Sequence, residues 1–293
     1  MGNWLSSKRV APYIFLAPVF IFALLFFVVP LLFAATISFT DWDAVSRPRW
    51  VGIHNYTYLL GRDQFFLASI WNTFYFAAGT VTVGVPVSLV VAALISRSRY
   101  EAFWRTIYWL PMATNIVAIA YIWRYILNDT SGLLNRTLDI FGLPGPNWLS
   151  SPVMAMVSVI LVASWMSIGQ NVLVFLTGLN QIDEVYYEAA RLDGANPIQL
   201  FWHVTIPLLR PTILFVLITS LISALSSFVL IMILTEGGPA RSTTVTGLYL
   251  YDMAFTDLRL GRASAAAYIL FAIIFAVSVV QLRLLRRGGV EAH

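Results

Sequence analysis

The chain has no cysteine and a single lysine, Lys8. The first absence excludes disulfides, thiolate metal sites and cysteine nucleophiles. The second excludes a P-loop ATPase, whose GxxxxGK[ST] pattern needs a lysine on the phosphates. Any ATP and Mg that drive this protein therefore bind a partner subunit. Charge is scarce too: Asp, Glu, Lys and Arg make up 11% of the residues, where a soluble domain has about a quarter. A surface so poor in charge does not stay solvated. His54, His203 and His293 are scattered, without metal-ligand spacing. The net charge of +4 is small and dispersed, which does not suit nucleic acid.

What is present is hydrophobic residue, 59% of the 293, and it comes in long runs. A bilayer core of about 30 Å takes about 20 apolar residues per helix. Six stretches qualify: 12–39, 68–95, 103–126, 153–178, 208–234 and 263–285. Pro18, Pro30, Pro86 and Pro111 fall inside them, which neighbouring helices can tolerate. The first run is too long for a signal peptide and reads as an uncleaved helix. The expected fold is an all-α membrane protein of six transmembrane helices, with residues 12–286 as the membrane domain.

Six spans put both termini on one side. That side carries ten basic residues (Lys8, Arg9, Arg97, Arg99, Arg105, Arg191, Arg210, Arg283, Arg286 and Arg287) against six acids, while the other side carries eight of each. The excess of basic residues at the helix ends places residues 1–11 and 287–293 in the cytoplasm.

One cytoplasmic segment, 182–207, differs from the other loops. Its residues read as two short helices. Asp183 caps the first, Glu184 sits in its first turn, and Gly194 ends it in the left-handed conformation. Asn196 caps the second with Pro197 at its first position and Gln199 at the capping-box position, and Pro207 stops it before the membrane. Ile198, Leu200, Phe201 and Trp202 give this second helix a large apolar surface. That suits a protein docking site, or an amphipathic helix in the lipid interface.

Glu188-Ala189-Ala190, three residues, Gly194, nine residues and Val204-Thr205-Ile206-Pro207 resemble the EAA motif of ABC-importer permeases, EAA-x3-G-x9-I-x-L-P. Val204 and Ile206 are conservative departures from it. Trp50-Val51-Gly52, Asn55-Tyr56, Asn72-Thr73, Asp193-Gly194-Ala195 and Gly237-Gly238-Pro239 with Ser242-Thr243 look like the carbohydrate-uptake subfamily. The opening run, from Leu16-Ala17-Pro18 through Pro30 to Ser38-Phe39 and Trp42, resembles the first of that subfamily's two permease types, found in the maltose and glycerol-3-phosphate importers.

The resemblance implies a bacterial cytoplasmic-membrane permease with four kinds of partner. These are a second permease subunit, two ATPase subunits holding ATP and Mg, an extracytoplasmic substrate-binding protein, and a carbohydrate that crosses by alternating access. It makes 182–207 a coupling loop that docks on the ATPase, with Glu188, Ala189, Ala190, Arg191, Asp193, Gly194 and Pro207 as its residues. It also makes Gly237, Gly238 and Pro239 part of the binding-protein docking surface. On the residues alone, without the motif, Glu188 reads as a solvated side chain paired with Arg191 at i, i+3.

Polar residues inside spans need partners or water. Ser167, Gln170 and Asn171 share one face of the fourth span. Ser220, Ser223 and Ser227 recur along the fifth, and Asn115 lies beside Pro111 in the third. Small hydroxyl residues also serve helix packing. Counted without a gap from Glu188, the sugar-contacting positions of maltose-type permeases fall on Ser167, Gln170, Ser220, Ala224 and Ser227. Ala224 departs, because the family has an amide there. The expected pathway is Ser167, Gln170, Asn171, Ser220, Ser223, Ser227 and Asn115. No charge lies deep in a span, which favours a neutral sugar or polyol over a phosphorylated polyol such as glycerol-3-phosphate. A stand-alone secondary carrier would carry intramembrane charge and repeated halves. An intramembrane hydrolase would need a nucleophile with a base, or a metal, within the bilayer. Neither set of features is found in the sequence.

Overall fold

A computed structural model describes residues 11–96 and 98–287. The termini read as cytoplasmic, with Lys8 and Arg9, lie outside the described residues, apart from the residues at 11 and 287; so does Arg97. Helices dominate: α1 (11–38), α2 (His54–Gly61), α3 (Gln64–Ile95), α4 (Glu101–Ala113), α5 (Ile116–Ile126), α6 (Leu133–Ile140), α7 (Pro152–Leu179), α8 (Glu184–Leu192), α9 (Pro197–Leu208), α10 (Arg210–Ser226), α11 (Val229–Leu234), α12 (Thr246–Tyr251) and α13 (Leu260–Arg287). Two short strands, β1 (Thr40–Asp41) and β2 (Arg49–Trp50), pair antiparallel with Thr40 opposite Trp50.

Among the described residues, four unbroken helices are long and apolar enough to cross a membrane: Phe15–Ser38, Gln64–Ile95, Pro152–Leu179 and Leu260–Arg283. Two more stretches qualify only as bent pairs, α4 with α5 at 94° and α9 with α10 at 70°. The third expected span is thus not one helix. Thr114 and Asn115 are extended, and the Asn115 carboxamide accepts from the Val117 N–H at 2.8 Å. This side-chain cap starts a new helix and supplies the partner that an exposed donor lacks in lipid. The fifth span is broken as well. Ser227 is extended and Phe228 caps α11, so the expected helix over 208–234 becomes α10 and α11.

Pro207 does not end the preceding helix either. It sits in the first turn of the closing α-helical segment Ile206–Leu208, where its missing N–H costs nothing, and the break comes at Leu209. A π turn over Phe201–Thr205 precedes it.

The described residues form two compact units. One contains the chain up to Gln64 with Leu250–Phe271, the other Phe65–Tyr249 with the chain from Ala272. In the first, Asn55 donates to the carbonyls of Ser38 and Thr40, and the Ser38 hydroxyl bonds Tyr56 Oη at 2.7 Å. These contacts pin α2 beneath the end of α1 and explain why Asn55-Tyr56 follows Trp50-Val51-Gly52. Between the strands, the Ser46 N–H and hydroxyl and the Val45 N–H hold the Asp43 carboxyl below its ordinary value.

The second unit is organised around α7. Gly169 of α7 lies against the Tyr108 carbonyl of α4, Gly84 of α3 against Ser167, and Gly178 against Thr212 of α10. A side chain at any of these glycines would collide, so they set the close approach of helices in an apolar solvent. Two buried clusters result. One holds Phe76, Met156, Val159, Leu225, Leu230 and Ile231; the other holds Val85, Leu89, Val172, Phe175, Leu176 and Leu209.

Candidate functional site

A cavity of about 320 Å³ draws its walls from both clusters. α7 supplies Ser167, Gln170 and Asn171, and α10 with its terminal break supplies Ser220, Ser223 and Ser227. Six of the seven residues expected on a pathway therefore face one space. Among the described residues that line it, none is charged. Both helix breaks border the cavity through Thr114 and Ser227. Irregular backbone at membrane depth is tolerated where it lines a wet cavity or is buried in protein.

Asn115 is the exception: it does not line this cavity, its side chain is exposed, and its amide oxygen caps α5. Pro111, Met112 and Thr114 line the cavity in its place. Ala224 also lines it, at the position where the resembled permeases carry an amide.

Thr80 of α3 was not anticipated. It lines the cavity, is 7% exposed, and its hydroxyl has no hydrogen-bond partner. Asn171 shows the same deficit at Nδ2, while its Oδ1 accepts from the Ser220 hydroxyl at 3.3 Å. A buried polar atom left unpaired costs about 1–3 kcal/mol. Both atoms are closed off from solvent, so a hydroxyl-bearing guest would meet them only after the wall shifts. The sequence signal for Thr80 was its place four residues before Gly84, on the face that meets α7.

The loop between α7 and α10 follows its sequence closely. Asp183 caps α8 by accepting from the Val185 N–H at 3.0 Å. Gly194 has φ +83°, and the Ala195 N–H closes the helix end on the Ala190 carbonyl at 3.0 Å. Asn196 and Gln199 complete a reciprocal capping box. The ion pair differs from expectation. Arg191 reaches Glu184 at 2.9 Å, two turns away, and not Glu188. Among the described residues Glu188 makes no ion pair and stands exposed. Leu192 (90%), Ile198 (71%) and Trp202 (61%) project apolar surface from the same loop.

Gly237, Gly238 and Pro239 form a tight turn with a cis peptide before Pro239. Gly237 (φ +81°) is buried and turns the chain, and a side chain there would meet Thr244; Gly238 and Pro239 are partly exposed. The turn is pinned to α3. Asn72 donates to the carbonyls of Arg241 and Thr244, and Thr73 Oγ1 accepts from the Thr246 N–H at 2.8 Å. Beside it, Arg124 pairs with Glu236 at 2.9 Å and donates to the Ile233 carbonyl, which ties α5 to α11.

A family model described as the binding-protein-dependent transport system inner membrane component matches residues 84–288. The sn-glycerol-3-phosphate transport system permease protein UgpA of Shigella flexneri is 32% identical over 279 residues, covering 94% of each chain. The arabinooligosaccharides transport system permease protein AraP of Bacillus subtilis (strain 168) is 30% identical over 282 residues, 95% of this chain and 89% of that one. A solved bacterial ABC transporter involved in import of the acidic polysaccharide alginate shares the fold, with a TM-score of 0.83 at 24% identity and coverage of 97% and 98%. With the cavity, the capped loop and these matches together, the chain belongs to the family of binding-protein-dependent transport system inner membrane components, the permeases of ABC importers.

Proposed function

We propose that this chain is the permease subunit of an ATP-driven importer for an uncharged carbohydrate, with ATP and Mg bound by separate ATPase subunits. The observation that carries the substrate class is the lining of the cavity: serines, Gln170, Asn171 and Thr80, with no cation. A phosphate ester would want arginine or lysine there, so the phosphorylated-polyol reading is not favoured, although UgpA is named for such a substrate. AraP is named for an oligosaccharide, which suits hydroxyl recognition by amides and hydroxyls.

The loop 182–207 supports the coupling role. Its exposed Leu192, Ile198 and Trp202 offer apolar surface to an ATPase partner, and Glu188, without an ion pair among the described residues, stands exposed in the same loop. A second permease subunit completes the pathway, and an extracytoplasmic binding protein docks near Gly238 and Pro239. Both termini face the cytoplasm. Catalysis belongs to the partners, and this chain moves substrate.

Purification in mild detergent followed by reconstitution tests the reading. An ATPase subunit should co-purify, and ATP should drive uptake of a neutral oligosaccharide such as arabinotriose but not of glycerol-3-phosphate. Recovery of the chain without an ATPase, or uptake confined to the phosphate ester, overturns it.

A further inference from the structure

The elbow between α8 and α9 is held at one end by Gly194 alone. Nothing stands within 4 Å of where a side chain on Gly194 would sit, and the bonds there are backbone bonds to Arg191 and Ala190. Such a corner bends easily. At the opposite end, two buried side chains meet. Tyr187 is 8% exposed, Thr205 is 3% exposed, and Tyr187 Oη lies 3.1 Å from Thr205 Oγ1. The Thr205 hydroxyl can also donate to the Leu200 carbonyl at 3.3 Å, and either hydroxyl can be the donor between Tyr187 and Thr205. Local backbone explains why a hydroxyl is useful at 205. The π turn over Phe201–Thr205 shifts the hydrogen-bond register, and Pro207 brings no N–H to the next turn.

We propose that the Tyr187–Thr205 hydrogen bond is a positioning clasp that locks α9 to α8, so that a push on α9 moves α7 and α10 together. The proposal rests on the coupling reading of this loop. α8 continues from α7 through a hydrogen-bonded turn in which the N–H groups of Asn180, Gln181 and Ile182 bond back to Leu176, Gly178 and Leu179. α9 continues into α10 through Leu209, which is buried against Val172, Phe175 and Leu176. α7 and α10 are the helices that carry the polar wall of the cavity. With the clasp closed, the loop is braced across its open corner, and motion of Ile198 and Trp202 reaches both walls. With the clasp open, the Gly194 corner absorbs the motion and only α10 follows. Tyr187 and Thr205 touch no substrate; they act through the helices they join.

The absence of native cysteine makes the test direct, because Leu161→Cys on α7 and Phe215→Cys on α10 become the only thiols of this chain and both positions are exposed. Spin labels at these sites, in the complex with its co-purifying ATPase, report the distance between the two walls without nucleotide and with Mg-ATP and vanadate. The expected result is one distance in both states for the parent. Tyr187→Phe and Thr205→Val each lose that constancy and show a changed or split distance with nucleotide, while ATP hydrolysis continues. Thr205→Ser, which keeps the hydroxyl, behaves as the parent. The double variant Tyr187→Phe with Thr205→Val matches Thr205→Val alone, because that change already removes the bond to Tyr187 together with the bond to the Leu200 carbonyl. A Tyr187→Phe complex that keeps the parent's single distance in both states overturns the clasp, and so does a parent whose distance changes. Tyr187→Phe removes one oxygen only and decides alone if Thr205→Val does not assemble. The coupling reading fails by a different sign, the absence of an ATPase from the purified complex.

Discussion

The loop between α7 and α10 and the cavity above it use polar residues in opposite ways. In the loop many polar side chains are spent on local structure: Asp183 and Asn196 on helix starts, Gln199 on a backbone N–H, Arg191 on Glu184, with Glu188 left exposed. The apolar residues there, Leu192, Ile198 and Trp202, are left exposed as well. In the cavity the arrangement is reversed. Apolar residues are buried in two clusters, and the polar ones, Thr80 and Asn171, keep bonding capacity in reserve. Under the proposed function, the docking loop satisfies most of its polar groups while the cavity wall leaves two of its own unsatisfied.

Substitutions can break or sharpen this contrast. The largest effect is expected at the loop corner. Gly194→Val puts a β-branched residue at φ +83°, which costs about 1–3 kcal/mol of backbone strain. ATP-driven arabinotriose uptake in proteoliposomes should fall by roughly tenfold or more, on the scale of 1.4 kcal/mol per decade, and unchanged uptake would show that the corner is not under strain in use. In the cavity, Asn171→Leu removes the orphaned Nδ2 and gives up the weak bond from Ser220. Stability should hold or rise by about 1 kcal/mol while uptake drops, seen by thermal unfolding and transport on the same preparation. A loss of both would mean that Asn171 is structural after all.

Asn196→Ala takes away one half of a capping box and should cost about 1 kcal/mol. Faster amide exchange at the start of α9, with α8 unchanged, is the measurement. Glu184→Gln should be the mildest change. The Glu184–Arg191 pair is about half exposed on both sides, and such surface pairs contribute about 0–1 kcal/mol. Its loss should leave unfolding within error at high salt, where the charges are screened.

The sequence made the loop legible almost residue by residue, because caps, a left-handed glycine and a proline at a helix start are local rules. The polar faces of α7 and α10 were legible for the same reason: a period of 3.6 puts Ser167, Gln170 and Asn171 side by side. The breaks were not read. A run from Phe103 to Ile126 is apolar enough for one straight helix, and only the choice of Asn115 to cap α5, made in the context of packing against α11, ends it. Likewise, Ser226-Ser227 before Phe228 reads as an ordinary stretch of helix until the cavity beside it is known. Spacing alone pairs Glu188 with Arg191, but a long arginine side chain reaches back two turns to Glu184 instead. Thr205 looked like part of a motif, and its partner Tyr187, 18 residues away, is set by the fold of the elbow.

The turn at Gly237–Pro239 also constrains any attempt at rebuilding. Its shape is held from outside by Asn72 and Thr73 on α3, whose bonds reach Arg241, Thr244 and Thr246 across more than 160 positions of sequence. A chimaera that borrows residues 235–246 from a related permease, to change which extracytoplasmic protein it accepts, would import a loop without its fastening. The transplantable module is discontinuous: the loop and the Asn-Thr pair at the head of α3 travel together or not at all.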